Sequence, residues 1–165
     1  MDLGWLPLGV RSDTDDTPFE EIWLDEEFDV QIRYVEDLAL DLDYLILEGP
    51  DIIAVERKVY SSFLVHSRGD VMDELRAASA REARIASVYR AAVLGGEQED
   101  PDLFGIMTRL ANDPERDIRH AVIVAGAYLE WLCFRPLLDR LRENDPEESV
   151  RRDAGTVLDA LDGDR

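Results

Sequence analysis

The chain has 165 residues, 45% of them hydrophobic and 34% charged, which is enough apolar material to bury a real core. Its formal charge of −20 excludes electrostatic capture of DNA, RNA or an anionic membrane, because binding to phosphate needs clustered lysine and arginine. The same charge favours solubility and basic partners.

In chain order, residues 1–18 read as an extended arm and linker: residues 1–10 are apolar but broken by Gly4, Pro7 and Gly9, and Ser12 to Pro18 is an acidic turn. The first residues carry no basic stretch of the kind that opens a secretory signal. No apolar run approaches the ~20 residues of a membrane span, so the expected compartment is the cytoplasm. Residues 19–69 read as a small β-meander plus a helix. Ile22-Trp23-Leu24, Val30 to Val35 and Leu42 to Leu47 are short, β-branched or aromatic and partly alternating, with acidic breaks between them. A helix through Ile32 to Leu47 competes with that reading, because Leu38, Leu40, Leu42 and Leu45 also suit helical packing. Asp51 is placed as an N-cap for a helix carrying Ile52, Val55, Val59 and Phe63, with Gly69 as its stop.

Residues 70–165 read as helical throughout. Helices are expected over Val71–Leu75, Arg81–Val93, Leu103–Leu110, Ile118–Leu132, Pro136–Arg142 and Ser149–Leu161, ahead of a frayed tail from Asp162 to Arg165. Within them Asn112-Asp113-Pro114-Glu115-Arg116-Asp117-Ile118-Arg119 recurs as Asn144-Asp145-Pro146-Glu147-Glu148-Ser149-Val150-Arg151, a spacing of 32 residues. A period of 20–50 residues marks units that stack because none buries its own apolar face. Pro114 and Pro146 suit a first helical position, and Asp113 and Asp145 are placed as N-caps. The last helix has a wet face (Arg151, Arg152, Asp153, Thr156, Asp159) and a dry one (Val150, Ala154, Val157, Leu158, Leu161).

A short helix, Asp-Pro, then Ile/Val-Arg opening a longer helix resembles the HEAT repeat in its short bacterial form. Two copies match over Leu103–Leu132 and Phe134–Leu161, and a weaker third over Val71–Leu94 lacks Asp-Pro but aligns Arg84 with Arg119 and Arg151. The resemblance implies a mainly α chain (α+β overall): a short HEAT-like α-solenoid of about three helical hairpins, with the β-meander plus helix acting as its cap. It also implies that Arg84, Arg119, Arg151, Asp113 and Asp145 pair between neighbouring units as scaffold. If the second helices line an inner wall, Ile85, Tyr89, His120, Val124, Tyr128, Arg152 and Thr156 form the candidate partner-binding strip, packing between helices being the alternative.

No catalytic motif is present: no phosphate loop, no GxSxG elbow, no HExxH. His66 and His120 lack Cys or His companions at ligand spacing, and a local trio of His66, Ser67 and Asp70 is weak evidence because triads are defined by geometry. Asp13, Asp15 and Asp16, or Asp37, Asp41 and Asp43, could face a hard cation but read better as solvated acidic surface. Cys133 is the only cysteine, so no intramolecular disulfide or multi-cysteine zinc site forms, and it reads as a buried small hydrophobe. Lys58 is the only lysine among 18 basic side chains, which fits either a GC-rich coding bias or a salt-loving source. The expectation is a non-catalytic adaptor without cofactor or metal, binding another protein and neither nucleic acid nor membrane. The alternatives are an acidic inhibitor or immunity-type protein that neutralises a basic partner, and, from the resemblance, a pigment lyase.

Overall fold

The computed structural model describes residues 3–14 and 17–163. The chain divides between His66 and Ser67 into two compact units. The first holds strands β1 (Leu6–Arg11), β2 (Phe19–Asp25), β3 (Val30–Asp37) and β4 (Leu42–Glu48), then helix α1 (Ile52–Ser62). The strands form one antiparallel sheet in the order β1-β2-β3-β4. Trp23, Ile32 and Leu47 align across it, as do Glu21, Tyr34 and Leu45. That register decides against the competing helix over Ile32–Leu47, because alternation puts Ile32 and Val35 into opposite faces where both are buried. Val55 and Val59, one turn apart on α1, close over Val30 and Ile32.

The two acidic breaks are built turns. Asp25 accepts from the N–H groups of Glu27 and Phe28 at 3.1 and 3.3 Å, and Asp37 from those of Ala39 and Leu40 at 3.0 and 3.1 Å. In each turn the fifth residue, Asp29 or Asp41, adopts a left-handed backbone with φ of 52° or 53°. Short polar side chains tolerate that conformation better than most. Asp25 and Asp37 are buried, so these carboxylates hold the turns rather than coat the surface.

Residues 6–11, expected within an arm, are instead the edge strand β1, which bulges between Pro7 and Gly9. Its sequence hides this because every residue is exposed and Pro7 interrupts the pattern. Asp51 makes no side-chain cap bond to α1. Gly69 lies inside the next helix rather than ending the previous one. Asp15, Asp16, Asp164 and Arg165, named above in a turn and a tail, lie outside the described residues.

The second unit holds α2 (Arg68–Ala77), α3 (Arg81–Leu94), α4 (Pro101–Leu110), α5 (Arg116–Leu129), α6 (Phe134–Asn144) and α7 (Glu148–Gly163). Ser67 and Asp70 form a reciprocal capping box on α2, and Asp100 caps α4, whose first residue is Pro101. α5 ends where Glu130 turns left-handed, which folds Trp131 into the interior with its indole N–H on the Gly96 carbonyl at 2.9 Å. Gly126 of α5 lies under the fully buried ring of Phe134; a Cβ there would come within 2.9 Å of it. The apolar faces of all six helices meet in one interior that runs from Val71 to Leu158.

The expectation of a mainly α, HEAT-like α-solenoid with a β cap is corrected: the chain is mixed α and β, with a four-stranded antiparallel sheet and seven helices among the described residues. The sheet has an interior of its own around Val30, Ile32, Val55 and Val59. The helices bury into one shared interior, and a solenoid is not shown. The Asp-Pro turns also differ from expectation. α5 and α7 begin after Glu115 and Glu147, and Asp113 and Asp145 accept from those residues' N–H groups, each at 3.0 Å. They form Asx-turns leading into the helix, and the prolines precede the first helical residue.

Candidate functional site

A cavity of about 600 Å³ opens on the sheet of the first unit, lined among others by Trp5, Trp23, Tyr34, Asp43, Leu45 and Phe63. Three neighbouring strands supply its floor: Trp23 from β2, Tyr34 from β3 and Leu45 from β4 share the face that α1 covers further along. α1 stops at Ser62, so Phe63, Leu64 and Val65 form a wall instead of a further helical turn. Trp5 stands between Trp23 and Phe63, with ring centroids 6.4 Å from each. This is the usual anatomy of a binding site: apolar walls with a few convergent polar groups.

Each wall is held from outside. The Trp5 indole N–H donates to the Asp25 carboxylate at 3.2 Å, and the Lys58 ammonium donates to the same oxygen at 2.9 Å. Burial alone would raise the Asp25 pKa; the Lys58 charge, the Phe28 N–H and the Trp5 indole outweigh it and hold the carboxyl below its ordinary value. Lys58 also lies over the Phe28 ring, 4.4 Å from its centroid. At the opposite end the Tyr34 phenol stands near Asp43 and Glu36, and burial, followed by those two charges, pushes its pKa up to about 12. Phe63 is 48% and Leu64 105% exposed, so an apolar rim leads into the cavity.

The strip expected from the sequence lies on the second unit. Ile85 and Tyr89 are on α3, His120, Val124 and Tyr128 on α5, and Arg152 and Thr156 on α7. α3 and α5 pack side by side, as do α5 and α7, so the seven residues share three adjacent helices. Ile85 and Tyr89 pack half-buried against the core; Tyr128, Arg152 and Thr156 are exposed. Polar contacts stitch these helices laterally: Arg81 to Asp117 at 2.6 Å, Arg116 to Ser149 at 3.1 Å, His120 to Asp153 at 3.3 Å. None of the seven lines the cavity on the sheet.

Beneath that surface Arg84 pairs with Asp113, and Arg119 grips Asp145 with two bonds of 2.6 and 2.9 Å. Arg119 also donates to the Asp113 and Pro114 carbonyls, and Arg151 repeats this on the Asp145 and Pro146 carbonyls. Burial would raise the Asp145 pKa, but the Arg119 bonds and the Glu147 N–H dominate and lower it; Asp113 follows the same pattern with Arg84 and Glu115. These arginines are scaffold.

The remaining sequence candidates have structural roles. Ser67 Oγ donates to Asp70 at 2.6 Å within the capping box, which assigns that hydroxyl to a helix end rather than to a triad. Cys133 is half-buried, and burial with the nearby Glu99 pushes its thiol up to about 11, so it stays protonated near neutrality. Among the described residues no group of three His, Cys, Asp or Glu could hold a metal ion, and no helix is long and apolar enough to cross a membrane. The cavity itself was missed in the sequence because its walls come from segments far apart. The signal was there in part: Trp23, Tyr34 and Leu45 follow one another at 11-residue spacing, which a meander of these lengths folds onto one face. Comparison with known proteins finds no matching family model, no matching characterised protein and no matching solved structure.

Proposed function

We propose that this chain is a non-catalytic protein-interaction module of the cytoplasm that engages a basic protein partner. The cavity of the first unit carries the reading: aromatic walls, an apolar rim at Phe63 and Leu64, and the Asp43 carboxylate at its far end make a surface suited to docking rather than to reaction. The net charge of −20 supports a basic partner by drawing it in over a distance. Inhibition of such a partner is the narrower form of the same reading. Kinship with HEAT repeats is part of the proposal, supported by the recurring Arg119 and Arg151 contacts.

The test is affinity capture from native extract at low and high salt, with the parent chain, Leu64→Glu and Arg152→Ala. A basic protein held by the parent and by Arg152→Ala, lost from Leu64→Glu and released by salt, supports the reading. Equal capture by the parent and Leu64→Glu puts the interface elsewhere, and binding unchanged by salt removes the electrostatic part.

A further inference from the structure

Asp43 lines the far end of the cavity, and Glu36 stands beside it on β3. Glu36 and Asp43 face each other directly across β3 and β4, a like-charge pairing that costs stability. Glu21 faces Tyr34 on the same side of the sheet. The Tyr34 phenol neighbours this pair on the same face of the sheet. Among the described residues no ion pair reaches Glu21, Glu36 or Asp43. Three of the unit's four arginine and lysine side chains are used elsewhere: Arg33 by Glu20 and Glu48 on the other face, Arg11 by Glu20, Lys58 by Asp25 and Glu27 at the α1 end; the fourth, Arg57, is exposed on α1. The hollow lined by Asp43, Trp5, Trp23 and Phe63 holds about 600 Å³, ample for one long side chain. An apolar stem ending in a weakly hydrated planar cation matches this sequence of surfaces, aromatic first and anionic last.

We infer that the cavity admits an arginine side chain of the partner, its alkyl stem against Trp23, Leu45 and Phe63 and its guanidinium on Asp43 and Glu36. This rests on the interaction-module reading above and names the group that the partner inserts. Of the two charged ends of the face, this one forms no ion pair with a cation of the chain among the described residues; at the other, Lys58 lies over Phe28 and is bonded to Asp25, an internal version of the same arrangement.

The experiment follows the three tryptophan indole N–H signals by ¹⁵N–¹H NMR on the whole chain while butylguanidinium, or its uncharged isostere butylurea, is titrated in. Trp5 and Trp23 report the cavity, and Trp131, bonded to Gly96 in the other unit, serves as internal control. Butylguanidinium is expected to shift Trp5 and Trp23 saturably and leave Trp131 in place, with butylurea at least about tenfold weaker, the factor that ~1.4 kcal/mol represents. The double substitution Glu36→Gln, Asp43→Asn, at two exposed positions, should bring the two probes to within about twofold of each other. Equal response of the parent to both probes overturns the arginine inference and leaves an apolar docking site standing. Silence of Trp5 and Trp23 towards both probes removes the site and the proposed function with it.

Discussion

Removing Arg119 should cost the helical unit more than any other single truncation of a polar side chain there. Its side chain is 7% exposed and that of Asp145 only 1%, so neither group can turn to water when the other is removed. The guanidinium makes four bonds, two to the Asp145 carboxylate and one each to the Asp113 and Pro114 carbonyls. In Arg119→Ala, Asp145 keeps the Glu147 N–H and remains a buried carboxylate without its counter-ion. A buried pair broken on one side costs about 3–5 kcal/mol, a large share of the ~5–15 kcal/mol that holds a domain together. Arg151 is the internal control: it stands 32 residues on, but its described bonds reach only the Asp145 and Pro146 carbonyls, so Arg151→Ala should cost about 0.5–1.5 kcal/mol. Replacing both partners, Arg119→Met with Asp145→Leu, should recover most of the loss, since an apolar pair of similar volume leaves no stranded charge. Urea unfolding at neutral pH, followed by far-ultraviolet circular dichroism, reads the helical unit directly. Equal costs at Arg119 and Arg151, or a loss below about 1 kcal/mol at Arg119, would refute the reasoning.

Three further outcomes are expected. Gly126→Ala should destabilise by about 1–3 kcal/mol in the same assay, because the added methyl meets the Phe134 ring at 2.9 Å and outweighs the gain in helix propensity. Asp25, Asp113 and Asp145 have folded pKa values below their unfolded ones, so the stability they supply is complete above the ordinary carboxylate value of about 4 and lost as pH falls through the folded values. The thermal midpoint should therefore hold steady down to mildly acid pH and drop below about 4, with a shallower drop in Asp145→Asn. Tyr34 and Tyr44 are both raised to about 12, by burial and by Asp43 or Asp37 respectively, so they favour the fold below the ordinary phenol value near 10 and cease to do so as pH climbs through 12. Phenolate absorbance should show Tyr34 and Tyr44 among the late-titrating tyrosines, alongside Tyr89, which burial and Asp117 also shift upward, and Tyr34→Phe should remove one late phenol.

The meander was legible where alternation was clean, as in Val30 to Val35, and illegible where exposure erased it, as along β1. Leu38 and Leu40 looked like helical anchors, but one is exposed in a turn and the other buried beneath it, a difference that depends on the Asp37 cap and not on periodicity. The helices were read to within a few residues, yet α5 ends three residues early because Trp131 is worth more inside than as a continuation of the helix. The strip from Ile85 to Thr156 followed from helical spacing and does lie on adjacent helices. The cavity needed strand register, which a single sequence encodes only through its turns.

Those turns carry a rule for how such a sheet can grow. Asp25 and Asp37 stand twelve residues apart and occupy equivalent places in successive hairpins, yet they lie on opposite sides of the ribbon: the first shares the face of Trp23, where the Trp5 indole bonds it, and the second the face of Val35 and Tyr44. Each twelve-residue step thus turns the chain over. A duplication of one step would deliver the last strand inside out, its Leu45 and Leu47 moved to the face of Ile22 and Val35; only two together would restore the original facing.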